Sequence, residues 1–303
     1  MSTSVTVIIP TTAESSRSDG LRKAILSVRA SSKDDVQILC YVNGKIFDDD
    51  VCTWLKKQDD VKFVYDSYGS LPNAIYQARK LVETEFFAFL DDDDELIGPS
   101  IDYRLSLFER NSEFDLVVGN GVRKSNGSVQ LMQENLKHCQ DAPLRSLLNK
   151  NGNWLASCAG LYRADSFDAD FFKECVPYAE WTFFAYKAAL TYSIGFVDEK
   201  TYAINFTENS LSGSIKYLIG QHKVLKRILA LPLPLDVRHA IELRRSDAAH
   251  YVSDEALNFG DRSLALKYHL LSLSTLWGFK KYFLFSRYFF KPRFAKGNEV
   301  NGK

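Results

Sequence analysis

Residues 86–95 of the chain read Phe-Phe-Ala-Phe-Leu-Asp-Asp-Asp-Asp-Glu. Five apolar residues in a row are too few to span a membrane and are typical of a strand buried on both faces. The carboxylates that follow repel one another unless a cation or water surrounds them. In open parallel sheets, ligands bind beyond the carboxyl ends of the strands. The stretch therefore predicts a divalent-metal site at a strand end, and oxygen ligands favour Mg²⁺ or Mn²⁺ over zinc.

A simpler interpretation is that the acidic run is solvated surface, as most charged runs are. The residues after the run argue against it, because Leu96 and Ile97 resume apolar sequence and Gly98-Pro99-Ser100 predicts a turn into a helix. An acidic run between two buried segments lies at the edge of the core. This position favours the metal site.

Composition sets limits on the function. The chain has 303 residues, of which 46% are hydrophobic and 25% charged, as in ordinary globular proteins. The formal net charge is zero, so no nucleic-acid partner is expected. No stretch approaches the roughly 20 apolar residues of a membrane helix, and the first residues lack signal-peptide features. The five cysteines are scattered without a CxxC pair, which is typical of reduced thiols and predicts a cytoplasmic location.

Strands alternate with helical patterns in the first part of the chain, which predicts a doubly wound α/β sheet. The carboxyl ends of the first, second and fourth strands should meet at one edge. That edge would carry Pro10-Thr11-Thr12, Asn43-Gly44 and the aspartates. Neither a dinucleotide-binding glycine fingerprint nor a P-loop is present, so a nucleotide would be held by other means, such as a metal bridging its phosphates. The predicted strands cover residues 5–9, 36–42, 61–65, 86–90, 116–119, 193–197 and 202–206.

The sequence pattern changes after Ser214, from alternating strands and helices to helices alone. Three helical segments are predicted at 215–231, 236–259 and 261–276, so we expect one domain over 1–214 and a helical region over 215–303. Residues 280–294 alternate basic and aromatic side chains. This pattern is typical of a segment at an anionic membrane surface, and equally of a terminal helix that packs its aromatics on the core.

Two residues are predicted to lie at helix N-termini. Asn73 is predicted to cap the helix that follows the Gly69-Ser70-Leu71-Pro72 turn. Glu180 stands at the start of a helix, where the helix dipole alone is enough to favour a carboxylate.

Taken in order, these segments resemble the inverting nucleotide-sugar glycosyltransferases of family 2, which have the GT-A fold. The resemblance covers roughly the first two thirds of the chain. It is most specific where Phe89 to Leu96 matches the family's metal-binding Phe-Leu-Asp-x-Asp-Asp-x-Leu. The other matching segments are Val5 to Thr12, Val42-Asn43-Gly44, Gly69 to Ala74, Asn151 to Phe167, Ala179-Glu180-Trp181 and Tyr202 to Ser212.

The resemblance implies a mostly parallel central sheet flanked by helices, with a C-terminal helical extension. It implies that Asp93 and Asp91 bind Mn²⁺ or Mg²⁺ and that Glu180 is the catalytic base. The residues that it places around the nucleotide sugar are Pro10, Thr11, Thr12, Glu14, Asn43, Asp66, Gly69, Asp91 and Asp92.

Three residues depart from the family pattern. Asn43 replaces the usual base-contacting aspartate, so that contact is weaker or comes from Asp66 or Glu14. Asn205 replaces a histidine that helps to hold the metal in some members. Glu180 replaces an aspartate and extends the carboxylate by about one methylene.

The expected reaction is transfer of a sugar, most simply from a UDP-sugar, to a saccharide or lipid-linked saccharide in cell-surface polysaccharide synthesis. The basic aromatic C-terminus suggests a peripheral position on the inner face of the cytoplasmic membrane. Three alternatives stay open: a nucleotidyltransferase, a non-catalytic sugar-nucleotide or glycan-binding relative, and a partner-binding role for the C-terminal helices.

Overall fold

The computed structural model describes residues 5–125, 127–149, 152–174, 177–205 and 214–290. Within these residues, nine strands form one sheet in the order β3–β2–β1–β4–β8–β6–β9–β5, with β7 paired to β6. The strands are β1 (Val5–Thr11), β2 (Val36–Asn43), β3 (Val61–Asp66), β4 (Phe86–Phe89), β5 (Glu95–Leu96), β6 (Leu116–Ser125), β7 (Ser128–Leu131), β8 (Gly160–Arg163) and β9 (Ile194–Asn205).

Helices lie between the strands and after them. Those of the first 214 residues are α1 (Ser18–Arg29), α2 (Asp49–Lys56), α3 (Leu71–Arg79), α4 (Ser100–Arg110), the short α5 (Pro143–Ser146) and α6 (Glu180–Thr191). The C-terminal ones are α7 (Ile215–Ile228), α8 (Leu235–Asn258), α9 (Arg262–Ser272), α10 (Leu276–Tyr282) and α11 (Arg287–Phe290). None of the helices in the described ranges has the length and hydropathy of a segment that crosses a bilayer.

The first half of the sheet is parallel, as its buried strands predict. β1 runs parallel to β2 and to β4, and β3 extends the parallel set beyond β2. Every residue of β1 and β4 is buried, because helices cover both faces of these strands. Their carboxyl ends therefore lie side by side, which places the loop after β1 next to the acidic run after β4.

The second half of the sheet is mixed. β8 lies between β4 and β6 and is antiparallel to both. β9 is one strand, where two separate strands had been predicted, and a register shift opposite Gly119 and Asn120 lets it bend while it stays paired with β6. The α/β GT-A architecture is as predicted, with fewer parallel pairs than a doubly wound sheet has.

The cap of α3 differs from the prediction. Ser70 is the N-cap, and its hydroxyl accepts a hydrogen bond from the Asn73 backbone N–H at 3.4 Å. Asn73 lies inside the first turn, and its side chain donates to Asp66 at 3.1 Å. Pro72 explains the shift, because proline is favoured in the first helical turn, and the helix starts three residues earlier than a cap at Asn73 would allow.

The hydrophobic core continues from the sheet into the C-terminal helices. Val224 and Ile228 of α7, with Val237 and Ile241 of α8, belong to the same buried cluster as the strands. Two smaller clusters join the rest of α8 to α9. The boundary predicted at 214/215 thus falls at the start of a helix that shares the main core.

We expect Phe87→Ala to lower the free energy of unfolding by about 3–5 kcal/mol. The Phe87 side chain is fully buried and stacks on Tyr162 with ring centroids 5.0 Å apart. Urea denaturation measures the loss. The matched control is Phe283→Ala, since Phe283 is 50% exposed and its loss should change stability by no more than about 0.5 kcal/mol. Equal losses for the two variants would contradict the assignment of β4 to the core.

Candidate active site

Asn43 ties three segments together at the carboxyl edge of the sheet. Its amide Nδ2 donates to the Thr11 carbonyl at 3.0 Å, and its Oδ1 accepts from the Ser70 N–H at 3.1 Å. The side chain is buried, with only 6% of the residue exposed. An aspartate could accept here but could not donate to a carbonyl. The departure from the family's aspartate therefore has a structural reason in this chain.

A close approach of two glycines lies beside Asn43. Gly44 has φ +97°, and a Cβ on Gly69 would lie 3.3 Å from the Gly44 Cα. Asp66 lies in the same region and accepts from the Tyr68 N–H at 2.9 Å and the Tyr41 hydroxyl at 3.0 Å. The Tyr68 N–H, more than the other contacts, lowers the pKa of Asp66. The loops after β2 and β3 therefore expose backbone without side chains at Gly44 and Gly69, next to the ionised carboxylate of Asp66.

The loop after β1 is held in an unusual backbone conformation. Ala13 has φ +52° and is fully buried, and its N–H donates to the Thr11 hydroxyl at 2.9 Å. The Thr12 hydroxyl oxygen is buried, and no partner for it exists among the described residues. A buried hydroxyl without a partner is uncommon in folded proteins and is typical of a position that a ligand completes.

Two further residues predicted to contact the nucleotide flank this loop. Pro10 lies within β1 opposite Tyr41, since the strand continues through it to Thr11. Glu14 is half-buried, and its carbonyl accepts from the Arg17 N–H at 2.9 Å to start the 3₁₀ turn of residues 15–17. That turn places Arg17 at the start of α1.

Arg17 meets the acidic run, which the sequence analysis did not foresee. Its Nε lies 2.9 and 3.0 Å from the two Asp92 carboxylate oxygens, and its Nη2 also pairs with Asp92. The same Nη2 is 3.3 Å from Asp93 Oδ2. The Thr11 hydroxyl donates to the other side of the Asp92 carboxylate at 2.6 Å. Arg17 and Asp92 are 75 positions apart, so no local pattern could have linked them.

The carboxylates of the run occupy different environments. Asp91 accepts from the Ser157 hydroxyl at 2.7 Å, and burial raises its pKa to about 7. Asp94 accepts from the Asn205 N–H at 3.0 Å, and burial raises its pKa to about 8. Desolvation also raises the pKa of Asp93, whose side chain is 34% exposed. Asp92 is only 3% exposed, so its carboxylate faces Arg17 rather than the open edge.

Asn205 fixes the end of β9 to the acidic run. Its Nδ2 donates to the Asp93 carbonyl at 2.8 Å and to Glu95 Oε1 at 3.1 Å. Glu95 also lies 3.7 Å from Lys124 Nζ. Of the segment predicted to resemble the family's Tyr-Arg-x-His-x-x-Ser-x-Ser, residues 206–212 fall outside the described residues.

The residues present fit a divalent cation only in part. Within the described ranges, no three His, Cys, Asp or Glu side chains are arranged to hold a metal ion by themselves. Mg²⁺ is usually bound by one or two carboxylates together with substrate phosphates. Asp91 and Asp93 supply carboxylate oxygens of this kind, and burial raises the pKa of both. These two residues would hold the ion, and a diphosphate would complete it.

Glu180 lies at the first turn of α6, as predicted, and is 6% exposed. Burial raises its pKa, and its Oε1 accepts from the Tyr178 N–H at 3.1 Å. Its charge is the smallest of the named causes of the raised pKa of Asp91, so the two carboxylates are close enough to interact electrostatically. The next residue, Trp181, packs against Phe89 of β4 with ring centroids 5.2 Å apart.

The C-terminal region supports the turn that holds Glu180. Tyr178 has φ +72°, which is rare for a residue with a side chain. Gly220 of α7 lies against this turn, since a Cβ there would be 2.8 Å from the Pro177 carbonyl oxygen and 3.1 Å from the Tyr178 Cβ. Gln221 Nε2 also donates to the Tyr178 carbonyl at 3.5 Å. Only a helix without a side chain at 220 can pack this closely.

Two residues of the segment from Asn151 to Phe167 contact the acidic run, Ser157 at Asp91 and Cys158, whose thiol donates to Asp94 Oδ2 at 3.9 Å. Residue 151 lies outside the described residues, while Ser157 reaches Asp91 as described above. Arg163, at the end of β8, lies 5.0 Å from the Phe86 ring and pairs with Glu85. Arg163 is thus at the opposite end of β4 from the acidic run.

The sequence model of Glycosyl transferase family 2 matches residues 6–171, which is more than half of the chain. The chain belongs to glycosyltransferase family 2. It is therefore a glycosyltransferase, and the matched range includes the loop after β1, Asn43, Gly69 and the whole acidic run. Glu180 and the C-terminal helices lie beyond this range. No curated protein sequence matches the chain.

Solved structures of another glycosyltransferase share the fold. Residues 1–349 of S. aureus TarS in complex with UDP-GlcNAc are 17% identical, with a TM-score of 0.58 over 82% of this chain and 72% of that one. The same part of TarS in complex with UDP is 15% identical, with a TM-score of 0.53 over 82% of this chain and 71% of that one. At this identity the likeness establishes the GT-A fold of the family 2 enzyme and nothing finer.

Replacing Asp94 by asparagine should stabilise the family 2 enzyme more at pH 8 than at pH 5. The folded-state pKa of about 8 lies above the ordinary value of 3.8, so the folded chain retains a proton that the unfolded chain releases. Stability must therefore fall as the pH rises between these values, and Asp94→Asn removes that loss. Asparagine can still accept from the Asn205 N–H.

Thermal unfolding with a chelator present measures this effect. The matched control is Asp236→Asn, because the hydrogen bond from Arg145 lowers the pKa of Asp236 and its replacement should bring no gain at pH 8. An Asp94→Asn gain that is the same at pH 5 and pH 8 would contradict the assigned environment of Asp94.

Proposed function

We propose that the enzyme transfers a sugar from a nucleotide-diphosphate sugar, most simply a UDP-sugar, to a hydroxyl of a saccharide or lipid-linked saccharide, with inversion. The observation that carries the proposal is the buried carboxylate of Glu180 at the start of α6, whose neighbour Trp181 packs against Phe89, two residues before Asp91 of the acidic run. If the donor binds between them, the acidic run would lie next to its diphosphate leaving group, and Glu180 would lie next to the acceptor as a base. The UDP-GlcNAc and UDP complexes of TarS support a uridine nucleotide.

The donor side is the edge formed by Thr11, Thr12, Asn43 and Gly69. The unpartnered Thr12 hydroxyl and the bare backbone at Gly44 and Gly69 suit a nucleoside that packs flat against the loop. Asp93 and Asp91 would hold Mn²⁺ or Mg²⁺. When bound, the ion would neutralise the diphosphate as a Lewis acid and make it a better leaving group.

The acceptor side is Glu180. A general base must take the proton of the acceptor hydroxyl, and a carboxylate with a raised pKa is better matched to this task near neutral pH. The Tyr178 N–H orients the carboxylate by its bond to Oε1, and the tight packing of α7 on this turn keeps it in place. A single displacement at the anomeric carbon needs no enzyme nucleophile and inverts its configuration.

The C-terminal segment supports peripheral binding to an anionic membrane surface. Tyr282 is buried and Phe285 packs on His250 with ring centroids 4.7 Å apart, so part of the aromatic segment faces the core. Phe283 and Leu284 of this segment, and three apolar residues that precede it, are exposed beside the exposed Lys280 and Lys281. We name these five residues the apolar patch: Leu276 (74% exposed), Trp277 (45%), Phe279 (47%), Phe283 (50%) and Leu284 (73%).

Such a combination of apolar and basic side chains binds the interface of anionic bilayers. It would bring the active site to lipid-linked acceptors, and we place this surface at the inner face of the cytoplasmic membrane. Residues 291–294 of the predicted membrane segment lie outside the described residues.

Glu180→Gln should lower sugar transfer by about 10²–10⁴-fold and leave UDP binding nearly unchanged, because the amide keeps the size of the side chain but cannot take a proton. Product formation and a UDP thermal shift measure the two effects. The control is Glu174→Gln, an exposed residue that pairs with Arg227. Near-normal turnover by a folded Glu180→Gln enzyme would remove Glu180 as the base, and a wild type with no transfer or donor hydrolysis would indicate a non-catalytic relative.

The double variant Trp277→Ser/Leu284→Ser should bind anionic vesicles about tenfold or more weakly, since two large apolar side chains lose their burial in the bilayer interface. Co-sedimentation with phosphatidylglycerol vesicles measures the change. The control is Val129→Ser/Leu131→Ser on β7, where both side chains are exposed away from the apolar patch. Equal sedimentation of the two double variants would contradict the membrane assignment.

A further inference from the structure

The donor edge is strongly negative for an enzyme that binds a diphosphate. The acidic run carries five carboxylates in succession, and the charge of Glu180 in α6 adds to the negative potential at Asp91. In the described part of the chain, two basic side chains form ion pairs with the run. One is Lys124, which reaches Glu95 at its far end, and the other is Arg17. A bound diphosphate would be repelled by these carboxylates unless a cation lies close to it.

Arg17 is anchored, yet part of its guanidinium stays available. Nε and Nη2 bind Asp92, and Nη2 also approaches Asp93. Among the described residues, none accepts a hydrogen bond from Nη1, and the side chain is 40% exposed. A guanidinium has five N–H donors in a planar fork, so the Nη1 group can bind a phosphate oxygen while the other edge stays on Asp92.

Arg17 lies between the nucleoside end of the donor site, at Thr11, and its expected metal end, at Asp93. Thr11, on the nucleoside side, donates to the same Asp92 carboxylate that Arg17 binds. Asp93, the expected metal ligand, is 3.3 Å from Arg17 Nη2. In a nucleotide sugar the diphosphate lies between the nucleoside and the sugar. The anchored guanidinium therefore stands next to the path of the phosphates.

We propose that Arg17 is a donor-binding residue that contacts the diphosphate through Nη1, with Asp92 as the carboxylate that holds it in place. This role rests on the proposed function and adds a cation that belongs to the chain itself. It also reinterprets Asp92, which acts through Arg17 rather than by touching the ribose or sugar. Arginine suits the role because it pairs with a carboxylate and a phosphate at once in fixed geometry.

The test compares uridine, UDP and inorganic pyrophosphate as ligands of the full chain, by calorimetry in the presence of a chelator. Wild type should bind UDP more tightly than uridine. Arg17→Gln should reduce that preference about tenfold or more and leave uridine affinity unchanged, since a charge-assisted hydrogen bond to phosphate is lost. Arg17→Lys should fall between the two, because it keeps the charge without the fork.

The matched control is Arg29→Gln at the other end of α1. Arg29 makes the same two-point ion pair, with Asp60, but lies away from the donor edge. Arg29→Gln should leave the preference for UDP over uridine unchanged. If Arg17→Gln and Arg17→Lys fold, as judged by circular dichroism, and keep the full preference, Arg17 only neutralises Asp92 and the proposal fails.

Pyrophosphate separates this proposal from the choice of donor. If wild type binds neither uridine nor UDP, the uridine donor is wrong, yet Arg17 can still be judged on pyrophosphate alone. Tighter binding of pyrophosphate by wild type than by both Arg17 variants supports the assignment whatever the nucleoside is. Equal binding of pyrophosphate by wild type and both variants, or a wild type that binds uridine and UDP with equal measurable affinity, overturns it.

Discussion

The Asp92 carboxylate is the point on which the active-site edge depends. It accepts from the Thr11 hydroxyl at the end of β1 and from the Arg17 guanidinium at the start of α1, while its own backbone follows β4. Buried charges are stable only when they are paired and hydrogen-bonded, and Asp92 meets both conditions. Gly20 lets α1 approach this loop, since a Cβ there would lie 2.9 Å from the Asp92 carbonyl oxygen. The loop after β1 and the acidic loop are thereby held as one unit.

The four aspartates of the acidic run make different contacts although they are adjacent in sequence. Neighbouring residues in an extended or turning chain point in different directions, so each carboxylate meets its own surroundings. Asp92 faces a cation, and Asp94 binds the backbone of β9. Asp91 accepts from the Ser157 hydroxyl and Asp93 keeps 34% of its side chain exposed, and burial raises the pKa of both carboxyl groups. This division supports the metal assignment for Asp91 and Asp93 more specifically than the bare motif does.

The proposed catalytic base depends on a part of the chain outside the matched family range. Glu180 is oriented by the Tyr178 turn, whose positive φ is unfavourable unless surrounding contacts hold it. α7 provides those contacts through Gly220 and Gln221. The C-terminal helices therefore support the proposed base through α7, whereas the apolar patch lies in α10 and the turn after it.

The sequence alone determined the fold class, strands at 5–9 and 86–90 and the positions of the acidic run and Glu180, because hydrophobic periodicity and short motifs are local properties of the chain. The structure extends the first of these strands through Pro10 to Thr11 and ends the other at Phe89. Family resemblance then placed the site at the carboxyl edge. The insertion of β8 between β4 and β6, the continuous β9 and the Ser70 cap were decided by tertiary structure, which selects among pairings of similar local propensity. The same holds for Arg17 and Ser157, which reach Asp92 and Asp91 from 75 and 66 positions away. Contacts over such separations exist only after the chain has folded, and no spacing in the sequence encodes them.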